Sequence, residues 1–462
     1  MEKLLYTIKK FIPRKVFLAL QPAYHYLFNL LAAVVYRFPS KELIVIGITG
    51  TTGKTTSVYL IARTLEKCGY KVGFTSTAMF NDGKREWMNN KKMTMLGRFF
   101  TQKILRRMVK NGCQYAIVET TSEGVKQFRH KFINYDIAIF TGLYEEHIES
   151  HGSFENYKQA KGKFFAHLCK CTSKHVDENK RIIKSDKGMK KIELERVKKT
   201  IIANGDDEYA EYFLSFKAEQ KLVYSSKSQD EKIKNTEVVN YEVIRSDAKG
   251  NIFKLKEGEI NLQLLGSFNV KNAMNAFLVA KSQGIKFDKI KNGLEVIKGV
   301  DGRLERIDEG QDYTVIVDYA FEPGALSNLY ETVKMLSIKK VIHVLGSCGG
   351  GRDVSRRPKM GQLAGINADI VIVTNEDPYD DDPRVIIEQV AMGAEKAGKK
   401  ENKDLFKIDD RREAIKKALE LANTGDIVLI TGKGSEQAMV VANGEKISWD
   451  DRAVVRGILN KK

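Results

Sequence analysis

Short runs of β-branched and other apolar residues alternate along most of the chain with stretches of helical periodicity. The runs Leu43 to Ile48, Tyr115 to Glu119 and Asp136 to Phe140 read as strands, and the stretches between them read as helices. Such alternation predicts a mainly parallel sheet with crossover helices. After the apolar run in Thr200 to Tyr209, residues 237–265 alternate polar and apolar around the turn Lys249-Gly250-Asn251, which predicts a small antiparallel sheet. A helix beginning near Asn269 closes this part. Beyond Gly302 a second α/β series opens, with strands at Tyr313 to Val317, Lys340 to Leu345, Asp369 to Val373 and Asp426 to Ile430, and predicts a second, Rossmann-like domain.

Two stretches depart from this pattern. Residues 171–199 are charged, lack clear periodicity and read as a surface insertion. At the amino end, Val16 to Tyr36 is mostly apolar and follows the basic cluster Lys9, Lys10, Arg14 and Lys15. Pro22, His25 and Asn29 interrupt it, and no small-residue cleavage site follows, so it reads as a packed or interfacial helix rather than a signal peptide. The expected division is a helical segment over 1–40, a central domain over 41–298 and a C-terminal domain over 299–462. No internal repeat is evident.

Composition adds little to the fold and something to the partners. The formal charge of +18 suits anions: nucleotides, phosphorylated sugars, nucleic acid or an acidic membrane surface. The basic residues are dispersed and no nucleic-acid-binding module is recognisable, so nucleic acid is not expected. The five cysteines lack the spacing of a zinc site and fit reduced thiols.

The strongest local signal is Gly47-Ile-Thr-Gly-Thr-Thr-Gly-Lys-Thr-Thr56, placed directly after an apolar strand and before a helix that starts near Thr56. Glycines allow backbone N–H groups to converge on phosphate, the helix amino terminus adds positive potential, Lys54 reaches terminal phosphates, and the Thr55 hydroxyl suits Mg²⁺. Ile48 stands where the strict phosphate-loop pattern has its first glycine.

Gly50-Thr51-Thr52-Gly53-Lys54-Thr55-Thr56 resembles the G-T-x-G-K-[ST] variant of the Mur ligase family. Further blocks follow in the family's order: Glu119 to Val125 with Arg129, Thr141 to Gly152, Tyr157 to Lys163, Gly266 to Asn272, Gly302 to Glu305, Asp318 to Pro323, Gly346 to Asp353 and Gly432 to Glu436. The tripeptide synthetases that extend UDP-MurNAc-dipeptide look closest. The resemblance implies an ATP-dependent, ADP-forming ligase that phosphorylates a carboxylate and lets a free amine attack the acyl phosphate, with two Mg²⁺ ions offsetting the negative charge. It implies that Thr55 and Glu119 serve one ion, and that His147 and Lys161, the latter carbamylated, serve the second. It places Asn269 and Asn272 beside adenine, Arg303 and Asp318 at phosphate and ribose, and Thr94, Thr121, Ser122 and Arg129 at the sugar-peptide acceptor. The amino acid falls to Arg352, Glu376, Asp377, Tyr379, Gly432 and Glu436.

Some blocks depart from the family pattern. Glu376-Asp-Pro-Tyr379 stands where diaminopimelate-adding enzymes have D-N-P-R, so the arginine that pairs with a distal carboxylate is absent; lysine or another amino acid is as plausible. Ser435 and Phe321 each replace a family histidine. The stretch before Gly47 is too short for the usual uridine-binding domain, which leaves open whether the acceptor is carried on UDP or on lipid. The leading expectation is a monomeric, cytoplasmic enzyme of peptidoglycan precursor synthesis, held at the inner face of the membrane if the N-terminal segment touches it. A ligase acting on another carboxylate, of polyglutamate or cyanophycin-like type, and a non-catalytic ATP-binding scaffold at the membrane are the alternatives.

Overall fold

The computed structural model describes residues 14–146, 151–183, 194–227, 235–351 and 354–461, with side chains from residue 20 onward. Two α/β units follow a single N-terminal helix, α1 (Arg14–Val35).

The first unit is built on a nine-stranded sheet of order β11-β10-β9-β6-β1-β5-β2-β3-β4. Its centre is β1 (Ile44–Thr49), flanked in parallel by β5 (Tyr115–Glu119) and β6 (Ile137–Phe140). Every residue of β1 is buried, as an unbroken apolar run between two helical layers requires. Full burial of each large aliphatic side chain there contributes about 1.5–3 kcal/mol. On one face β1 is covered by α2 (Lys54–Lys67) and α7 (Phe268–Ser282), and on the other by α5 (Phe154–Leu168), whose Phe164 lies against Gly47 and Tyr135. Strands β2 (Val72–Thr75), β9 (Thr200–Asn204) and β10 (Gln220–Ser225) extend the parallel sheet, and β3 (Met79–Asn81) and β4 (Glu86–Met88) finish one edge antiparallel. The parallel strands β1, β5 and β6 run the same way, so Thr49, Glu119 and Phe140 lie at one carboxyl edge, where α/β sheets place their ligands.

Two sequence expectations shift. The alternating stretch is divided: β11 (Glu237–Asn240) joins the large sheet in parallel, and only β12 (Glu242–Asp247), β13 (Gly250–Leu255) and β14 (Gly258–Leu262) form the antiparallel sheet. The charged stretch from 171 to 199 is also not wholly superficial. It carries the hairpin β7 (Lys174–Val176) and β8 (Glu195–Val197), and Lys174 and Lys199 are buried on the two oxygens of Asp136, at 2.5 and 2.8 Å. Buried charges are tolerated when paired in this way.

The second unit is a six-stranded sheet of order β15-β16-β20-β17-β18-β19. All neighbours are parallel except β15 (Glu305–Ile307) against β16 (Thr314–Asp318). The others are β17 (Val341–Leu345), β18 (Ile370–Thr374), β19 (Leu405–Ile408) and β20 (Ile427–Thr431). Asp318, the Glu376 loop and the Gly432 loop therefore issue from the carboxyl ends of β16, β18 and β20, facing the first unit.

Helix α1 lies on the first unit with one face only. Ala32 and Ala33 are fully buried, Tyr26 makes edge contacts with Phe128 and Phe132, and Asn29 donates to the Gln127 carbonyl at 3.3 Å. Leu20, Leu27, Leu31, Val34 and Val35 point away and are exposed. Among the described residues, no helix is long and apolar enough to cross a membrane.

Candidate active site

The loop after β1 turns on Gly53, whose φ of +79° is in the left-handed region that favours glycine. A Cβ there would also stand 2.5 Å from Asn272 Oδ1, so the position is closed to other residues on two counts. The turn starts α2 at Lys54, two residues earlier than the sequence suggested. It also folds the Lys54 ammonium back over the loop, where it donates to the Gly50 and Thr51 carbonyls at 3.0 and 2.7 Å.

Register places the neighbouring carboxylate. Ile48 pairs with Glu119, so that side chain emerges beside the loop, and Thr55 Oγ1 donates to Glu119 Oε2 at 2.9 Å. Glu119 is fixed from the other side by Thr77, through its backbone N–H at 2.8 Å and its hydroxyl at 2.9 Å; Thr77 in turn contacts the Thr94 hydroxyl at 2.8 Å. From α5, Lys161 reaches Gly50 O at 2.8 Å and lies over the Tyr157 ring. From the second unit, Arg303 stacks on Tyr319 and donates to Thr55 Oγ1 at 3.2 Å. Among the described residues nothing satisfies Arg303 Nε, which is buried.

The electrostatics follow from this crowding. Burial pushes the Lys54 pKa down, with Arg303 adding to the effect and Glu119 and Glu322 opposing it. Burial drives Lys161 well below the ordinary lysine value, and Lys54 adds to the shift. Both side chains bond to backbone carbonyls rather than to carboxylates, so neither gains a directly bonded anion to offset burial.

The residues present fit magnesium and phosphate. A hydroxyl and a carboxylate in contact are hard oxygen donors, and magnesium needs few protein ligands because water and phosphate complete its shell. Among the described residues, no three histidine, cysteine, aspartate or glutamate side chains are grouped to hold an ion by themselves.

Comparison with known proteins agrees with this geometry. The Mur ligase middle domain matches residues 48–188 and 170–280, and the Mur ligase glutamate ligase domain matches 302–434. A UDP-N-acetylmuramyl-tripeptide synthetase of Roseiflexus sp. (strain RS-1) is 34% identical over 437 residues, spanning 93% of this chain and 81% of that protein. The chain belongs to the Mur ligase family. It is an ATP-dependent, ADP-forming amide ligase. A UDP-N-acetylmuramoyl-L-alanyl-D-glutamate–2,6-diaminopimelate ligase of Geobacillus kaustophilus (strain HTA426) is 34% identical over 438 residues, 94% of this chain and 82% of that one. A solved structure of an enzyme with the same name superposes with a TM-score of 0.56 at 28% identity, covering 91% of this chain and 79% of that one.

The remaining expected residues fall into three groups around this Mur ligase loop. Asn272 donates to Asn269 at 2.8 Å and accepts from Ser57, which braces α7 against α2; Thr51 and Thr52 are tied through Gly142 and Thr141, and Thr56 is buried. Asp318, half-buried, accepts from the N–H groups of Leu304 and Ala320 at 2.7 and 2.8 Å; desolvation raises its pKa while Arg303 opposes. A second group lies beside α1. Thr121 caps α4 (Ser122–Lys126) through Gly124 N–H, Ser122 contacts His151 at 3.1 Å, and Arg129 bonds to Gln127 and the Met95 carbonyl. The third group is in the second unit. Glu376 is buried against Gly432, where a Cβ would lie 2.2 Å from its Oε2, and burial raises its pKa; Tyr379 donates its N–H to the Val440 carbonyl at 3.2 Å. Asp377 and Glu436 are bridged by Lys433, at 2.9 and 2.8 Å. His147 and Arg352 lie outside the described residues.

Sequence reasoning missed three groups. Thr77 carried no motif. Glu322 sits in the Asp318 to Pro323 block but was given no role; it is buried, accepts from the Tyr144 hydroxyl, and is within electrostatic reach of Lys54, Arg356 and Lys161. Lys92, in the loop before α3 (Arg98–Lys110), crosses to the second unit and donates to Asp377 Oδ2 at 2.6 Å and to Glu436.

Proposed function

We propose that this ligase joins a free amino acid to the carboxylate of a muramyl-peptide acceptor in peptidoglycan precursor synthesis. The observation that carries the reading is the convergence of Lys54, Lys161 and Arg303 on the Gly50 to Thr56 loop, beside the Thr55 and Glu119 oxygens. An acceptor carboxylate meeting the terminal phosphate of ATP brings two anions together, and this is where Lys54 and Arg303 supply positive charge while bonded mainly to neutral groups. Magnesium, when bound, screens the same repulsion.

In this reading Thr55 and Glu119 hold one ion. Lys161 and His147 hold a second, Lys161 as a carbamate. A buried amine with a depressed pKa supports that modification, because only the neutral amine adds CO₂. Arg303 faces phosphate, Asp318 ribose, and Asn269 and Asn272 adenine. Thr94, Thr121, Ser122 and Arg129 face the acceptor, and Arg352, Glu376, Asp377, Tyr379, Gly432 and Glu436 the amino acid. The acceptor residues and most of the ATP-binding residues belong to a central domain over 41–298, while Arg303, Asp318 and the amino acid residues belong to a C-terminal domain over 299–462.

The deciding experiment is mass-spectrometric identification of the product from ATP, UDP-MurNAc-dipeptide and a mixture of amino acids. A product one amino acid heavier, formed with ADP, is expected. Turnover only with other carboxylate acceptors, glutamyl ones included, would overturn the muramyl assignment.

In this reading the enzyme is a cytoplasmic monomer, with α1 as a peripheral contact to the inner face of the membrane and no nucleic-acid partner. The exposed Leu20, Leu27, Leu31, Val34 and Val35 support this contact. So do the flanking cations: no acidic residue lies between Lys3 and Lys41, while Lys9, Lys10, Arg14 and Lys15 precede the stripe and Arg37 and Lys41 follow it. The purified protein is expected to float with anionic vesicles, and Leu27→Glu with Leu31→Glu to release it. Equal flotation of wild type and variant would remove the membrane contact.

A further inference from the structure

The cluster at Asp377 and Glu436 has a charge balance that neither unit achieves alone. Within the second unit, Lys433 contacts both carboxylates and the Ala438 carbonyl at 2.7 Å. Two carboxylates and one ammonium leave one negative charge, which by itself would suit a cationic side chain. Lys92 supplies the second ammonium from the other unit. All four side chains are largely withdrawn from water, with relative exposures of 8% for Lys92, 0% for Lys433, 5% for Asp377 and 15% for Glu436. Water therefore screens little of the interaction.

The loop that delivers Lys92 is built for the position. Lys92 has a φ of +54°, unfavourable for a side-chain-bearing residue. It is held between Asn89, whose amide donates to the Ser76 and Met93 carbonyls and whose oxygen accepts from Lys91 N–H, and Thr94, which leads through Thr77 to Glu119. Lys446 of the second unit donates to the Lys91 carbonyl at 3.4 Å. The sequence supplies the matching change: Asp377 stands where the D-N-P-R pattern has an amide. The Lys92 ammonium offsets the charge of that carboxylate.

We propose that Lys92 is a specificity-determining residue that neutralises Asp377 from across the two units and closes the acidic pair to cationic side chains, so that the amino acid taken has an uncharged side chain at this point. The proposal rests on the reading that Asp377 and Glu436 face the amino acid. A lysine or ornithine side chain would arrive as a third ammonium for two carboxylates, a repulsive element of the kind that sets specificity.

The test compares L-lysine with L-norleucine, which has a similar aliphatic side chain without the ammonium. Acceptor-dependent ADP release and calorimetric binding of each amino acid, with Mg-ADP present, are measured for wild type, Lys92→Gln and the double variant Lys92→Gln/Asp377→Asn. Wild type is expected to favour norleucine. Lys92→Gln should raise the lysine-to-norleucine ratio tenfold or more in both readouts, and the added Asp377→Asn should return it toward wild type. A wild-type preference for lysine, or a ratio that Lys92→Gln does not move, overturns the proposal. If no amino acid supports turnover with the muramyl acceptor while lysine binding still appears in Lys92→Gln, the acceptor assignment fails and the role of Lys92 stands.

Discussion

The ligase contains two buried clusters that each set two lysines near two carboxylates, and they behave oppositely. At the phosphate loop, Lys54 and Lys161 spend their hydrogen bonds on the carbonyls of Gly50 and Thr51, while Glu119 is bound by Thr55 and Thr77 and Glu322 by Tyr144. Cations and anions are close but not joined, and burial holds both lysine pKa values down. At Asp377 and Glu436, the lysines bond directly to the carboxylates. Burial again opposes the charge on Lys433, but Glu436 and Asp377 outweigh it and raise its pKa; Asp377 is lowered, as Lys433 and Lys92 together outweigh burial. The same four groups make a site that receives an anion in one case and a sealed ion-pair network in the other. Composition does not distinguish them; the choice of hydrogen-bond partner does.

The largest expected effect breaks the first cluster. Lys54→Ala removes the ammonium that the loop holds toward phosphate, and turnover should fall by about 10²- to 10³-fold or more, as for other groups that stabilise developing negative charge. ADP release in the presence of acceptor and amino acid measures this. Unchanged release would mean that the loop is not where the phosphate is transferred.

The next effect is on stability and contrasts the clusters directly. Lys433→Met leaves Asp377 and Glu436 with Lys92 alone and should cost about 3–5 kcal/mol, the range for breaking a buried ion pair. Lys161→Met removes a buried amine that bonds a backbone carbonyl rather than a carboxylate and is only partly compensated by Glu322, so denaturant unfolding in carbonate-free buffer should show stability unchanged or raised, although turnover is lost. Equal destabilisation by both substitutions would contradict the distinction.

Proton linkage gives a smaller version of the same contrast. The folded pKa of Lys161 lies below 10.5, so between that folded value and 10.5 the unfolded chain binds more protons and stability rises with pH. Below the folded value both states are protonated and the burial cost is fully felt. Lys161→Met should remove this part of the slope, up to about 1.4 kcal/mol per pH unit. A slope that is identical in wild type and variant would show that the amine titrates normally.

The sequence made one cluster readable and not the other, for a physical reason. The phosphate loop is contiguous, and its glycines, lysine and threonines are fixed by a strand before and a helix after, so spacing alone signals the chemistry. The parallel sheets were equally legible, because buried strands are unbroken apolar runs. Lys92, Glu322 and Tyr144 carry no such spacing: each gains its role by meeting a residue of the other unit. Lys174 and Lys199 depart from the expected surface insertion for a related cause. A charged stretch reads as surface, and only the strand contact with Asp136 shows why these two turn inward. Strand β11 was misassigned because its exposed and buried positions resemble those of the antiparallel strands that follow, and its partner, β10, is set by the tertiary fold.

The smallest prediction tests how the sealed cluster is supported. Arg411 is fully buried in α12 (Arg411–Leu421) and grips Asp451 through two bonds, at 2.8 and 2.7 Å, while donating to the carbonyls of Asn375 and Thr431 at 3.3 and 2.7 Å. Those carbonyls stand at the start of the two loops that carry Asp377 and Glu436, so one guanidinium sets their spacing. Asp410 caps the helix by accepting from Arg412 and Glu413 N–H groups at 2.8 and 3.0 Å. Asp410→Ala should therefore cost about 1 kcal/mol of stability, as loss of an N-cap does. It should leave the lysine-to-norleucine ratio alone, because Arg411 remains anchored to Asp451. If that ratio moved with Asp410→Ala, the charge balance would depend on the position of the helix and not on the pairing of Lys92 with Asp377.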